Sequence, residues 1–286
     1  MNYPVASITE YGYKERKALK VLWKIVQKLL VLITVVGLYI PIIVIAIQSL
    51  NVSTDASTFT GFTFYWYTHM FENQSLAESI KNTFIISVTA TIASTILGTL
   101  IAIGINYLPA KARQKVMLIN NIPLLNADIV TGVSLMLVFS LLLPIFPYIF
   151  GFPTLFIAHV FFTLPYIILS VLPKFKEIDK NLMDAAMDLG KRPFPAALSV
   201  LVPAVKSGIF SGAILAFTIS FEDFVVSYFT TGNGFDTLSI WLYSSKGKNS
   251  LTPSVYAFNT ILIVVSIALI VGYQLVKGKM NHAKKH

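Results

Sequence analysis

Cysteine is absent from the 286 residues, which excludes disulfides, thiol nucleophiles and thiolate metal sites. Charge is scarce: 12% of residues are Asp, Glu, Lys or Arg, where a soluble domain carries about 25%. Beside 55% apolar residues and a mean hydropathy of +0.72, that scarcity excludes disorder and argues against an ordinary water-soluble enzyme. The phosphate-binding pattern Gly-x4-Gly-Lys-Ser/Thr is missing as well. Gly247-Lys248-Asn249 lacks both the loop and the hydroxyl and reads as an external turn, so this chain does not hydrolyse ATP by that mechanism. His69, His282 and His286 are too scattered for a metal site. Acids number only 13 against 22 basic residues, a net charge of +9. In a membrane chain such a surplus marks Lys and Arg retained on the cytoplasmic face, more often than contact with nucleic acid.

What is abundant is long apolar runs. A helix needs about 20 apolar residues to cross a bilayer core. Six segments qualify, near Leu29–Gln48, Thr83–Asn106, Val116–Leu142, Ile149–Leu172, Ser207–Thr230 and Ser254–Val276, and none holds a Lys or Arg. The expected fold is an all-α polytopic helical membrane bundle of six transmembrane helices. Residues 1–28 form a basic N-terminal arm, 29–276 the six-span domain and 277–286 a basic tail. Of the 22 basic residues, 19 fall on the arm, the second-to-third and fourth-to-fifth connections and the tail. That bias predicts a multi-pass cell-membrane protein with both termini cytoplasmic. The basic arm is too long, and the apolar run after it too extended, for a cleaved signal peptide, so the first span is expected to remain as an anchor.

Small residues recur every four positions at Ala90, Ser94, Gly98 and Ala102, and again at Ala204, Gly208, Gly212, Ala216 and Ser220. Such stripes let helix backbones approach closely in lipid. Packing within the bundle is the expected use, and an interface with a second membrane subunit is the alternative. Pro41, Pro123 and Pro165 lie inside spans as potential kinks.

The connection at about 173–206 carries an amphipathic pattern. Ile178, Leu182, Ala185, Ala186 and Leu189 share one helical face, and Lys176, Lys180, Asp184 and Asp188 interrupt it. Gly190 marks the stop, and Pro193 and Pro195 bar continuation. Mixed charge and small alanines suit a protein groove better than a lipid surface.

Asp184-Ala185-Ala186, three residues, Gly190, nine residues and Val200-Leu201-Val202-Pro203 resemble the Glu-Ala-Ala signature of ABC importer permeases, with Asp in place of Glu. Similar stretches extend over most of the chain: Phe62-Thr-Phe-Tyr-Trp-Tyr67, Asn82-Thr-Phe-Ile-Ile-Ser87, Gly98-Thr-Leu-Ile-Ala102 and Asp128-Ile-Val-Thr-Gly-Val-Ser-Leu135. Ser220-Phe-Glu-Asp-Phe-Val-Val-Ser-Tyr-Phe-Thr-Thr-Gly232 resembles the polyamine (spermidine/putrescine) branch. The resemblance implies a type I importer transmembrane domain of the MetI-like fold. It implies a second permease subunit, two ATPase subunits and an external substrate-binding protein as partners, all on a lipid bilayer and without nucleic acid. It also implies that this chain binds no cofactor, ATP and Mg residing on the ATPase, and that Asp184, Ala185, Ala186 and Gly190 dock on that ATPase.

Acids inside spans are costly and are functional candidates by default. Asp128 lies about 18 Å, and Glu222 and Asp223 about 22–24 Å, from the cytoplasmic starts of their spans if the helices are continuous. On a continuous helix Asp223 borders the Gly212 stripe. With no basic residue in any span, these acids are expected to meet a cation from elsewhere, such as the amine ends of a polyamine. Trp66, Tyr65 and Tyr67 are candidates for cation–π contact at the external entrance, and interfacial anchoring is their structural alternative. Other solutes (iron, sulfate, sugar), an ion-coupled carrier with the acids as ion sites, and an intramembrane serine protease using Ser134 and His159 are the competing readings. The carrier lacks the internal repeat expected of many such proteins.

Overall fold

A computed structural model describes residues 6–54, 58–179, 181–232, 234–246 and 253–283. Every element among them is helical: α1 (Ala6–Gln48), α2 (Tyr65–His69), α3 (Gln74–Tyr107), α4 (Ala110–Leu125), α5 (Asp128–Ser140), α6 (Phe152–Val171), α7 (Asn181–Asp188), α8 (Pro193–Ala204), α9 (Lys206–Glu222), α10 (Val225–Thr230), α11 (Leu238–Lys246) and α12 (Pro253–Ala283). The chain forms two compact units, residues 1–70 with 250–286 and residues 71–249. Lys180, Gly247-Lys248-Asn249, Lys284, Lys285 and His286 lie outside the described residues.

In the first unit α1 and α12 pack together and α2 packs on α12. The basic arm is helical from Ala6 and continues without a break into the first span. No residue in the most apolar window of Leu22–Gln48 is buried within the chain, as suits a helix that mostly faces lipid or another subunit.

The second unit is built on α3, α6 and α9. Ala90, Ser94, Gly98 and Ala102 of α3 are buried, as are Gly208, Gly212, Ala216 and Ser220 of α9. A Cβ on Gly98 would stand 2.7 Å from Ile167 Cβ, and one on Gly208 would stand 2.7 Å from the Ser170 carbonyl oxygen. The small stripes therefore serve packing within the chain, on α6. Ala204 departs from its stripe and is exposed, because α8 and α9 meet at a 73° bend.

Among the described residues, three helices are long and apolar enough to cross a membrane singly, Leu22–Gln48, Gln74–Tyr107 and Phe152–Glu177, and counting bent pairs as spans gives five. Six were expected. The third expected span, Val116–Leu142, is interrupted at Asn126–Ala127, where α4 and α5 meet at 103°. Pro123 and the polar Asn126 and Asp128 lie at that turn. The fifth, Ser207–Thr230, is interrupted at Asp223–Phe224. The sixth, Ser254–Val276, lies within α12 (Pro253–Ala283).

Candidate functional site

The two interruptions meet. α5 and α10 pack against each other and α10 against α6. Between them lies a cavity of about 330 Å³ lined by Pro123 and Asp128 from the first interruption, Glu222, Asp223 and Phe224 from the second, and Phe162 and Tyr166 from α6. Non-helical backbone at membrane depth is tolerated where it lines a cavity, and both interruptions contribute residues to this one.

The three expected acids thus converge, from two spans, but not as side chains on continuous helices. Asp223 ends α9 with extended backbone, φ −64° and ψ 131°. Helical-wheel placement beside Gly212 therefore does not apply to it. Its Oδ1 accepts from Val226 N–H at 3.3 Å and its Oδ2 from Ser227 N–H at 2.7 Å. These are two of the donors that a new helix leaves unsatisfied, so Asp223 caps α10 as well as lining the cavity. Asp128 opens α5. Glu222 is exposed, and neither it nor Asp128 has a hydrogen-bond or ion-pair partner among the described residues.

Phe162, Tyr166 and Phe224 were not singled out from sequence. Their signal was the Asn126-Ala127-Asp128 run inside an apolar segment, which marks a turn and so turns α6 into a cavity wall. In sequence a lone histidine such as His159 reads more often as structural than as a protease base with Ser134. Its fully buried ring is hydrogen-bonded to Ser220 Oγ through Nδ1 (2.7 Å) and to Ser227 Oγ through Nε2 (2.9 Å), while Ser134 is exposed on α5.

In the first unit, Trp66 Nε1 donates to the Asn51 carbonyl at 2.7 Å, and the Tyr67 hydroxyl is hydrogen-bonded to Ser49 Oγ at 2.6 Å. Both tie down the loop after α1. Tyr65 is exposed and stacks on His69, ring centroids 3.8 Å apart.

The 173–206 connection divides into a 3-10 turn (Leu172–Glu177), α7 and α8. Pro193 does more than stop a helix: it occupies the first turn of α8, where its missing N–H costs nothing. The expected single apolar face is split. Ala186 is buried and Met183 packs on the core with Ile178, which precedes α7, whereas Leu182, Ala185 and Leu189 point outward. Gly190 has φ +84°. Its N–H donates to the Met187 carbonyl at 2.8 Å, and Lys191 N–H donates to the Ala186 carbonyl at 3.2 Å. This is the paired closure of a Schellman motif, for which glycine is favoured. An apolar groove of about 550 Å³ lies beside α7, lined by Ile103, Tyr107, Phe175, Met183, Asp184 and Phe194.

Broken membrane helices around an acid-lined cavity, with an amphipathic helix on a connecting loop, define a membrane transport subunit rather than a hydrolase. The chain belongs to the family of binding-protein-dependent transport system inner membrane components, whose family model matches residues 94–282. It is a non-catalytic, multi-pass membrane component with the MetI-like fold of ABC importer permeases. It is 34% identical over 245 residues to the spermidine/putrescine transport system permease protein PotC of Haemophilus influenzae, covering 86% of this chain and 93% of that one. It is 31% identical to PotC of Escherichia coli K12 (84% and 89% covered) and 29% identical to the putrescine transport system permease protein PotI of the same strain (84% and 85%). In structure it is similar to a chain of a bacterial ABC transporter involved in import of the acidic polysaccharide alginate, with TM-score 0.64, 17% identity and 90% and 95% coverage. That likeness is one of fold.

Proposed function

We propose that this chain is the permease subunit of an ATP-driven importer carrying polyamines of the spermidine/putrescine class into the cytoplasm. The observation that carries the reading is the convergence of Asp128, Glu222 and Asp223 with Phe162, Tyr166 and Phe224 on one cavity. Three carboxylates line one cavity with no cation from any span, and such a grouping of like charge attracts a cation. A polyamine supplies the missing charge at its amine ends and methylene stems for the rings. Ammonium groups over aromatic faces gain further attraction. The names of the relatives point to the same solutes. Trp66, Tyr65 and Tyr67 are assigned to the external entrance, with Tyr65, whose ring packs on Trp66 and His69, the most exposed of the three.

The distribution of Lys and Arg supports cytoplasmic termini and a cytoplasmic α7 loop. Leu182, Ala185 and Leu189 form an exposed apolar stripe there, beside Asp184, and this stripe is assigned to contact with the ATPase. Ala186 anchors α7 from behind, and Gly190 fixes its end. The remaining partners are a second permease subunit, a second ATPase and an external binding protein, with ATP and Mg held by the ATPases. ATP binding closes the ATPases, α7 transmits the movement, and the cavity alternates between the binding protein and the cytoplasm.

The test is uptake of labelled spermidine into proteoliposomes holding the chain with its partner subunits, with and without ATP on the ATPase side. ATP-dependent accumulation that requires the binding protein is expected. An assembled, ATP-hydrolysing complex that accumulates no polyamine overturns the substrate assignment.

A further inference from the structure

We propose that His159 is a positioning residue that pins the interruption between α9 and α10 and thereby sets the geometry of the acids in the cavity. The inference rests on reading that cavity as the solute pathway. The imidazole comes from α6 and is fully buried. One ring nitrogen is hydrogen-bonded to Ser220, in the last turn of α9, and the other to Ser227, in α10. The helix is interrupted between those two serines. Nε2 also stands 3.9 Å from Asp223 Oδ2, the oxygen that accepts from Ser227 N–H. The ring centroid lies 5.0 Å from that of Phe162, a cavity wall residue.

One side chain therefore touches both halves of a broken helix, the carboxylate at the break and the cavity wall. Its own base is held: the Thr163 hydroxyl donates to the His159 carbonyl at 2.6 Å and is hydrogen-bonded to Ser94 of α3 at 2.6 Å. A histidine serving packing alone needs no polar partner on each side of a discontinuity. A non-helical joint has free backbone torsions, and without a bridge α10 can turn relative to α9. That turning moves Asp223 and Glu222 relative to Asp128. Serines on both sides of the joint are what a two-nitrogen ring can bridge and a phenyl ring cannot.

The absence of cysteine from this chain permits a direct readout. Exposed Ile214 of α9 and Tyr228 of α10 are replaced in one chain, Ile214→Cys and Tyr228→Cys, and spin-labelled in the assembled complex with cysteine-free partner subunits. The parent is expected to give one narrow distance distribution. His159→Phe, which keeps a ring but no polar atom, is expected to broaden it, and His159→Gln, which retains a polar group directed at Ser227, to restore it in part. In uptake, His159→Phe is expected to raise KM for spermidine by about tenfold with little change in kcat, less than the hundredfold that a 1 Å misplacement can cost. If His159→Phe does not assemble, the double variant Ser220→Ala, Ser227→Ala removes the same bonds with little change of volume, and the same broadening is expected. An unchanged distribution in an assembled variant overturns the proposal. The distances do not depend on the solute carried. A complex that moves no polyamine, yet shows the broadening, therefore defeats the substrate assignment and leaves the pin standing.

Discussion

Two helix ends in this chain meet the same demand by different means. α7 ends at Gly190, where positive φ lets the N–H groups of Gly190 and Lys191 return to the Met187 and Ala186 carbonyls. No side chain takes part. α9 ends at Asp223, where the new helix α10 is capped by a carboxylate and the break is bridged by a histidine between two serines. The first end is exposed to water, which satisfies whatever the backbone leaves over. The second interrupts a membrane segment, where an unpaired N–H costs several kcal/mol or so. Polar side chains must do there what water does at α7, and once present they are available to a passing cation.

The sharpest way to break this contrast is Asp223→Ala. It leaves the N–H groups of Val226 and Ser227 without acceptors, and a hydrogen bond to a charged group is worth roughly 1.5–3 kcal/mol. We expect a loss of about 3 kcal/mol, seen as a fall in the Tm of the detergent-solubilised complex, together with loss of uptake. Asp223→Asn retains one of the two acceptor oxygens, so part of the Tm should return while uptake stays low for want of charge. An alanine variant that melts with the parent sinks the capping account.

Gly190→Val is the matching change at the other end. No atom lies within 4 Å of the added Cβ, so the effect is conformational only, about 1–2 kcal/mol for an L residue held in the left-handed region. α7 should fray at its end, and the ratio of solute moved to ATP hydrolysed should fall while hydrolysis persists. Tight coupling in that variant contradicts the role assigned to α7.

Glu222→Gln separates charge from architecture. Glu222 lines the cavity without capping anything, so no change in Tm is expected. Removing one attraction of about 1 kcal/mol should raise KM for spermidine about fivefold. A KM equal to that of the parent takes Glu222 off the pathway.

The membrane class, the small-residue stripes and the α7 stop were legible in sequence because each depends on local spacing. Gly98 and Gly208 sit where a Cβ meets a neighbouring helix, and a four-residue period is enough to find them. The interruptions were not read, although Asn126-Ala127-Asp128 and Glu222-Asp223 were visible as polar points in apolar runs. Hydropathy averages over a window and does not register a change of direction, so the sequence pattern puts them on continuous helices. The single apolar face expected of α7 is split for another reason: a helical wheel groups Leu182, Ala185, Ala186 and Leu189, but neighbouring elements decide which side meets the core, and there Ala186 is buried and Met183 packs while the others point outward. His159 was the hardest to read. A lone histidine in an apolar run carries no local sign of its partners, which lie 61 and 68 residues away.

The smallest effect is expected from Gly190→Asn, and it tests the contrast from the quiet side. Asparagine tolerates the left-handed region better than other residues with a side chain, and it is the second choice at this position of a Schellman motif. Open space around the Cβ leaves its amide in solvent. If the α7 end needs only backbone geometry, Gly190→Asn should keep coupling and Tm close to the parent, within about 0.5 kcal/mol. If instead the ATPase surface closes directly over Gly190, asparagine should disturb coupling as strongly as valine does, because bulk rather than φ is then limiting. Coupling ratios for the two variants, measured side by side in one preparation, separate a conformational requirement from a contact. Equal losses would move Gly190 from the end of the helix to the docking face itself.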